Sequence, residues 1–481
     1  MTVGILRGRG APRDDAPAAR ALASVESMTS IHWFRRDLRL DDNPALLAAA
    51  RSAEETGGGV VGLFVVDDAL WQGSGTPRLR YLESSLAALS EQMGGRLVVR
   101  RGRPADVVPA VAHEVSASTV HVAESFEPYG RRRDAETAHA LESAGAELRR
   151  TGSAYAISPG RVLSRSGGPY RVFTPFRTAW LDHGWRAPAG PADGIPWLAL
   201  PSDDVPPPVA APHDPTPPEA GERAARARWR AYLADVAAYA DERDRPDLDA
   251  TSRLSIALKW GEVHPRTLLA DLRSVPGPGA DTFRSELAWR EFHADVLFHS
   301  PGAATTSLRP VLPDDAWAPS AQADPQFEAW TAGRTGYPFV DAGMRQLLTE
   351  GWMHGRTRMA VASFLVKDLH VPWQRGAAHF MDRLFDADLA QNQLNWQWVA
   401  GTGLDASPYF RIFNPITQGK KFDPDGEYVR RWVPELREVP GPAVHEPWRL
   451  ARPPRDYPER IVDHATERKE SLEAYERARR G

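Results

Sequence analysis

The chain has 481 residues, too many for one hydrophobic core, so two or three folding units are expected. Its 59 Lys and Arg against 63 Asp and Glu give a net charge of −4, which excludes a polycationic coat protein and confines nucleic-acid binding to a local patch. The sequence has no cysteine, which excludes thiolate catalysis, disulfides and Cys-ligated metals and fits a reducing, cytoplasmic compartment. No apolar run approaches the ~20 residues of a membrane helix, so no membrane contact is expected.

Residues 1–29 are rich in Ala, Arg, Gly and Pro and contain no apolar segment typical of a signal peptide. They are predicted to be a disordered extension outside the fold. Met28 directly precedes the first strand-like run, so translation starting at either Met1 or Met28 is compatible with the sequence.

In residues 30–156, short apolar runs alternate with helical patterns. The runs that predict strands are Ile31–Phe34, Val60–Val66, Leu97–Val99, Val120–Ala123 and a segment from Leu148 onward. Between them, residues 77–93 repeat apolar side chains every three or four positions, which predicts an amphipathic helix. This alternation is typical of a doubly wound α/β domain with a parallel sheet. Neither G-x-G-x-x-G nor G-x-x-x-x-G-K-[ST] is present, so phosphate-cradle chemistry is not supported.

The rest of the chain divides into a proline-rich connector, residues 157–221, and a helical domain, residues 222–481. The connector is predicted to be an extended segment on the surface. Helical periodicity is found over 223–242, 282–298, 337–349, 356–369, 377–385 and 466–479. Eleven of the 16 tryptophans lie in this second half, where we expect the functional site.

Two polar segments in the helical half are candidate ligand contacts. Thr251–Ser255 offers hydroxyls and amides before an apolar helix, which suits an anion, although an ordinary helix cap uses the same residues. Asp386, Asp388 and the amides of 391–395 lie beside Trp396 and Trp398. Such a dense polar set is costly to bury unless it meets a polar ligand, for which a large heterocycle is suitable and a metal is not, since no His lies at ligand spacing. A solvated loop is the alternative.

A third segment combines an acceptor with a flat ring. Glu286 and Trp289 are three residues apart on one predicted helical face, which suits a planar base, although an amphipathic core helix explains the spacing equally well. Basic residues at 243, 356, 358, 420 and 421 add positive charge for phosphate binding.

Taken together and in order, six segments resemble the photolyase/cryptochrome family. They are residues 31–44, Thr251–Ser255, 334–338, 351–354, 362–369 and 407–415. The resemblance runs from Ser30 to the end and implies an α/β antenna domain followed by an all-helical FAD domain. It is strongest to class I enzymes that repair cyclobutane pyrimidine dimers in DNA, in which light-excited reduced FAD donates an electron to a dimer flipped out of the duplex. The alternative is a cryptochrome-like blue-light photoreceptor without repair activity. A nicotinamide-dependent oxidoreductase is disfavoured, because the sequence contains no dinucleotide-binding fingerprint.

The resemblance also implies which residues bind FAD. They are Tyr239, Thr251, Ser252, Arg253, Leu254, Ser255, Arg358, Asp386, Ala387, Asp388 and Asn392. Arg358 is expected to pair with Asp386. Asn392 is expected to act catalytically by facing flavin N5, where its amide accommodates either protonation state by rotating. An Asp at this position is typical of plant-type cryptochromes, so Asn392 favours repair.

On the lesion and DNA side, the resemblance implies a second set of contacts. These are Arg243, Glu286, Trp289, Arg290, His293, Gly355, Arg356, Met359 and Gln418. Glu286 is the catalytic carboxylate, Trp289 stacks on the dimer, and Met359 contacts it. The (6-4) photolyases carry His at both 355 and 359, so that lesion is disfavoured. Class I enzymes usually have Asn where this chain has Gly355, which predicts weaker dimer binding by ~1 kcal/mol.

The same resemblance implies an electron relay of Trp396, Trp373 and a distal indole. Counting back from Trp330 reaches Ser320, so the nearest indole, Trp317, is assigned. Glu127 aligns with an antenna carboxylate, and the pigment is either methenyltetrahydrofolate or 8-hydroxy-5-deazaflavin. The expected partner is UV-damaged DNA, and the expected state is a monomer without metal.

Overall fold

The structure is a computed structural model that describes residues 29–209, 214–310, 317–404 and 410–480. Residues 1–28 of the predicted N-terminal extension lie outside the described residues. So do residues 407–409 of the 407–415 segment.

The N-terminal half forms a parallel sheet of five strands in the order β3-β2-β1-β4-β5. The strands are β1 Ser30–Phe34, β2 Val60–Val66, β3 Leu97–Arg101, β4 Thr119–Glu124 and β5 Glu147–Ser153. The helices are α1 Pro44–Thr56, α2 Asp68–Gln72, α3 Thr76–Gln92, α4 Pro104–Glu114 and α5 Pro128–Ser143. β2 is apolar along its whole length and buried throughout, because helices cover both faces of the sheet. The doubly wound α/β prediction is confirmed.

The connector, which was predicted to be extended, contains a helix. Residues Phe173–His183 form α6, which buries Phe173, Phe176 and Trp180 in the core of the helical half. These three side chains recur every three or four residues, and Pro175 lies in the first turn, where its missing N–H costs nothing. The proline-rich composition of the segment concealed this helical period.

The second half is helical, as predicted, and its described part contains no strand. Its helices are α7 Glu222–Leu233, α8 Tyr239–Glu242, α9 Ser255–Trp260, α10 Pro265–Asp271, α11 Pro278–His299, α12 Ser320–Thr331, α13 Pro338–Glu350, α14 Gly355–Lys367, α15 Trp373–Arg383, α16 Leu389–Ala400, α17 Pro415–Phe422, α18 Glu427–Trp432 and α19 His464–Arg480. The helix predicted over 223–242 is broken between α7 and α8 by a 3₁₀ turn, Val236–Ala238.

Two buried carboxylates of the helical half bind the preceding parts of the chain. Glu262 accepts hydrogen bonds from the Tyr81 hydroxyl of α3 and the Gly221 amide, each at 2.7 Å. Glu291 of α11 accepts from the Ile157 amide at 3.0 Å and from the Trp180 indole at 2.6 Å. Burial raises the pKa of Glu291 to about 7. In the described part of the chain, no helix is both long and apolar enough to cross a bilayer.

Candidate flavin and DNA-lesion site

One cavity of about 690 Å³ in the helical half brings most of the predicted site residues together. It is lined by Tyr239, Arg243, Thr251, Ser252, Arg253, Leu254, Ser255, Glu286, Trp289, Arg290, His293, Gly355, Arg356, Arg358, Met359, Asp386, Ala387, Asp388, Asn392 and Trp396, among others. Four predicted residues do not line it: Glu127, Gln418, Trp373 and Trp317. Segments from Tyr239 to Trp396, which are 157 positions apart in the sequence, therefore converge, because α8, α11, α14 and α16 surround a common space.

We call Thr251, Asp386, Asp388 and Asn392 the cavity floor. The Arg358 guanidinium donates to Asp386 Oδ2 at 2.9 Å, so the predicted pair is present. Asp386 Oδ1 and Thr251 Oγ1 are both buried and have no hydrogen-bond partner within the protein. Buried polar atoms without partners are costly, so they indicate a place where a polar ligand binds.

Asp388 of the floor is surrounded by cationic side chains. It caps α16 by accepting from the Gln391 amide at 3.1 Å, and it forms an ion pair with Arg36 from the N-terminal half. Burial by itself would raise the pKa of Asp388, but the charges of Arg36 and Lys259 hold it well below its ordinary value. Asp388 therefore stays a carboxylate at any physiological pH.

The Asn392 amide is anchored rather than free to turn. Its nitrogen donates to the Ala377 carbonyl at 3.0 Å and to Gln393 Oε1 at 2.9 Å. Rotation would exchange both bonds for contacts between oxygens, so the expected amide rotation is not supported. The two bonds leave Asn392 Oδ1 as the atom available to a ligand.

The Thr251–Ser255 segment is a strained turn rather than a helix cap. Leu254 is the N-cap residue of α9, and no side chain caps that helix. Arg253 has a left-handed backbone with φ of 51°, and its guanidinium lies 4.4 Å from the Trp352 ring and pairs with Asp249 and Glu350. These contacts hold a conformation that costs a non-glycine residue of order 1 kcal/mol or more.

Trp289 is supported by a residue that the sequence analysis missed. Its ring stacks on Phe173 of α6 with centroids 3.6 Å apart and planes within 8°. Phe173 covers one face of the indole, so a ligand can stack only on the other. No sequence motif singles out Phe173, because it lies in the connector.

The charged residues beside Trp289 are paired with one another. Arg243 donates to Glu286 at 2.5 Å, and Arg356 donates to both oxygens of Asp244 at 2.7 Å. All four side chains line the cavity and are 27–36% exposed. We call Arg243, Asp244, Glu286 and Arg356 the mouth network. Asp244 was not predicted, although it directly follows Arg243.

Gly355 begins α14 next to open space. A Cβ at this position would have no atom within 4 Å, so the absence of a side chain leaves room in the cavity. The preceding His354 caps the helix by accepting from the Arg356 amide at 3.2 Å, and its Nε2 is buried without a partner. Burial lowers the pKa of His354 to about 4, so the ring is neutral and Nε2 carries the hydrogen.

Two predicted lesion contacts, Arg290 and His293, line the cavity and also make hydrogen bonds within the protein. Arg290 donates to the carbonyls of Ala154 at 3.0 Å and Leu258 at 3.2 Å, which occupies its guanidinium. His293 is buried and bonds Gln391 at 2.9 Å, and burial lowers its pKa to about 4. Neither side chain is therefore a free cation for DNA.

The three relay tryptophans lie in one apolar cluster. Trp396 and Trp373 are buried, and Trp317 is half-buried against the same cluster. The aromatic rings that contact Trp396 belong to Phe380 at 5.1 Å and Trp330 at 6.2 Å.

Glu127, the predicted antenna residue, lies between the two halves of the chain. It forms an ion pair with Arg36, whose guanidinium also pairs with Asp388 of the floor. Arg36 was not predicted as a site residue, although it stands in the 31–44 segment. Arg36 therefore contacts both the predicted antenna residue Glu127 and the cavity floor.

A parallel α/β domain joined to a helical domain with a large, polar-floored cavity defines a two-domain cofactor-binding protein. Residues 30–193 match the family model described as DNA photolyase, and residues 283–477 match the FAD binding domain of DNA photolyase. The deoxyribodipyrimidine photo-lyase of Streptomyces griseus is 44% identical over 463 residues, covering 93% of this chain and 98% of that protein. That of Escherichia coli is 38% identical, with 94% and 99% covered.

Solved structures agree. A class III photolyase from Agrobacterium tumefaciens superposes with a TM-score of 0.86 at 37% identity, covering 96% of this chain and 100% of that one. A cryptochrome from Synechocystis superposes with a TM-score of 0.81 at 27% identity, covering 93% and 99%. The chain belongs to the DNA photolyase family, and its residues 283–477 match the FAD-binding domain of that family.

Proposed function

We propose that this chain repairs cyclobutane pyrimidine dimers in DNA under light, with FAD as its catalytic cofactor. The observation that carries the proposal is that a single cavity holds both a polar floor suited to FAD and an aromatic, carboxylate-bearing surface suited to a lesion. Relatives named deoxyribodipyrimidine photo-lyase support repair over the photoreceptor alternative.

The floor fits FAD because its unpartnered atoms match a ligand with many donors and acceptors. Thr251 Oγ1 and Asp386 Oδ1 would bind its polar groups, while the hydrogen bond from Arg358 holds the Asp386 carboxylate in place. Asn392 Oδ1 would face the flavin ring, with the amide held by Ala377. When bound, reduced FAD supplies the reversible one-electron chemistry that no amino-acid side chain can provide.

The lesion side is organised by Trp289, Glu286 and Met359. Trp289 offers one ring face to the dimer, because Phe173 fixes the indole from behind. Glu286 offers carboxylate oxygens to pyrimidine N–H groups, and Met359 adds a polarisable apolar contact. A dimer is poorly stacked in the duplex, so turning it into this cavity costs less than extruding an ordinary base.

DNA would be held by Arg243 and Arg356, with Gln418 as a more distant contact. We further propose that the enzyme acts as a cytoplasmic monomer. Trp396, Trp373 and Trp317 would carry electrons from the surface to the cavity, since Trp396 lines it and all three lie in one cluster.

The antenna proposal keeps both pigments, methenyltetrahydrofolate and 8-hydroxy-5-deazaflavin. The ion pair of Glu127 with Arg36 qualifies the proposal, because a pigment that uses Glu127 must compete with this pair. Extraction of the purified protein, followed by absorbance and mass analysis, identifies any second chromophore.

A repair assay tests the function. Purified, photoreduced protein is mixed with UV-irradiated oligothymidine, and the recovery of thymine absorbance is followed under blue light. We expect recovery in the light and none in the dark. A protein that retains FAD but restores no thymine in the light would be a photoreceptor rather than a repair enzyme.

A further inference from the structure

Asp244 binds Arg356 of the mouth network with both carboxylate oxygens, which is also the way an arginine binds two oxygens of a phosphate. Both oxygens of Asp244 accept from Arg356, from Nε and Nη2, at 2.7 Å each. The same carboxylate lies 3.6 Å from Nε of Arg243. A two-pronged contact of this kind is how guanidinium groups recognise phosphates as well as carboxylates.

Arg356 is also fixed by its apolar surroundings. Its guanidinium lies 4.9 Å from the Phe422 ring, and its Nη1 is 3.9 Å from the Met359 sulfur. Arg356 therefore points toward the lesion side of the cavity while its charge is neutralised by Asp244.

The other half of the mouth network is a second ion pair, made through one contact. Arg243 is bound to Glu286, the carboxylate that we propose as a dimer contact. Two arginines and two carboxylates make the network neutral as a whole. Undamaged DNA binds proteins mainly through its phosphates, so a neutral network offers it little.

Resting on the proposed function, we propose that Asp244 is a specificity-determining residue for damaged DNA. It withholds Arg356 and Arg243 from the phosphates of undamaged DNA. A dimer that enters the cavity takes over Glu286. Arg243, whose Nε already lies 3.6 Å from Asp244, then becomes the partner of Asp244 and releases Arg356 for the neighbouring phosphate. Undamaged DNA places no base in the cavity, so it leaves the ion pairs intact.

The Asp244→Asn variant tests this proposal through binding rather than repair. Affinities for an undamaged duplex and for a duplex with one thymine dimer are measured in the dark, at several salt concentrations. We expect undamaged DNA to bind roughly five times more tightly, with a salt slope steeper by about one, because one phosphate contact is gained. The dimer duplex should gain less, so the ratio of the two affinities falls.

The matched control is Asp247→Asn. Asp247 also holds an arginine with both oxygens, Arg245 at 2.8 and 2.5 Å, but it does not line the cavity. The control removes the same charge from the same segment, so the affinity ratio should stay at the wild-type value. An equal fall in both variants would mean that overall charge, not Asp244, sets the ratio, and would overturn the proposal.

If the proposal is correct, the tighter binding of undamaged DNA by the Asp244→Asn variant also depends on Arg356. In the double variant D244N/R356Q, undamaged DNA should bind as weakly as it does to the wild type. If D244N fails to retain FAD, R356Q alone decides: unchanged binding of undamaged DNA is expected, and weaker binding contradicts the proposal. A wild-type protein that does not distinguish the two duplexes would instead refute the repair function itself.

Discussion

The floor and the mouth of the cavity satisfy their polar groups differently. Thr251 and Asp386 in the floor keep buried oxygen atoms that have no partner within the protein. The mouth network is one-third exposed, and its charges are all paired with one another. A buried unpartnered atom needs a ligand that stays, whereas an exposed ion pair can exchange with a ligand that comes and goes. The floor is therefore built for a resident cofactor and the mouth for a passing substrate.

The largest effect is expected from replacing Trp396, the relay indole that lines the cavity. Trp396→Phe should abolish photoreduction of oxidised FAD, because phenylalanine cannot be oxidised at a comparable potential. Light-driven change in flavin absorbance with an external reductant measures this. Repair by chemically reduced protein should persist, since the mouth is unchanged.

The control for that change is Trp330→Phe. Trp330 is an equally buried indole in contact with Trp396, but it has no assigned relay role. Photoreduction should continue in this variant. If the chemically reduced Trp396→Phe protein does not repair DNA either, then Trp396 contributes to more than the relay.

The next largest effect is expected on FAD binding, when a charged residue of the floor is replaced. Asp386→Asn removes the charged partner of Arg358 and should weaken FAD binding by about 2 kcal/mol, roughly thirtyfold. FAD release on dilution, followed by flavin fluorescence, measures the affinity. Asp382→Asn is the control, because Asp382 is 55% exposed, forms an ion pair with its neighbour Arg383 and does not line the cavity. Equal FAD retention in both variants would remove Asp386 from the floor contacts.

A smaller effect is expected beside the mouth. Gly355→Asn should tighten dimer binding by ~1 kcal/mol, about fivefold, because its side chain enters open space and supplies an amide hydrogen bond. Gly355→Ala fills the same space without an amide and should give no gain. Titration of a dimer-containing duplex measures both. Equal affinity of the two variants would mean that the missing amide does not limit binding.

The smallest effect concerns His354, which caps the helix that carries Arg356 and Arg358. Its pKa is lowered to about 4 by burial, so the folded protein keeps it neutral while the unfolded chain takes up a proton below its ordinary value near 6.5. Its contribution to stability is thus present above that value and lost as the pH falls toward 4. His354→Asn keeps a capping oxygen and should make the loss of melting temperature between about pH 7 and about pH 4.5 smaller by a few degrees.

The control is His113→Asn, at an exposed histidine near the end of α4. The pH dependence of its melting temperature should match the wild type. An unchanged pH profile in His354→Asn would show that other buried groups account for the acid sensitivity.

Local pattern was enough to predict the two halves of the chain. Apolar runs predict the inner strands of the sheet, since a strand buried on both faces needs little but apolar residues along its length. The edge strand β5 is mostly polar and exposed, and Leu148 is its buried apolar residue. The α3 stripe and the long helices α11, α13 and α14 follow from apolar periodicity. The density of polar residues singled out the floor as a ligand site, and the family resemblance added FAD as the ligand. The pair of Arg358 with Asp386 is present as expected.

Tertiary structure alone decided how these residues are used. Arg36 and Asp388 are 352 positions apart, yet one ion pair connects them across the two halves. Phe173 stacks on Trp289 from a connector whose composition predicted an extended segment. Arg290 donates its hydrogen bonds to two backbone carbonyls. A sequence period identifies the face an element will bury, because that depends on neighbouring residues. Which element packs against that face depends on segments far away in the sequence. The cavity, the mouth network and the contact between the two halves therefore follow only from the tertiary structure.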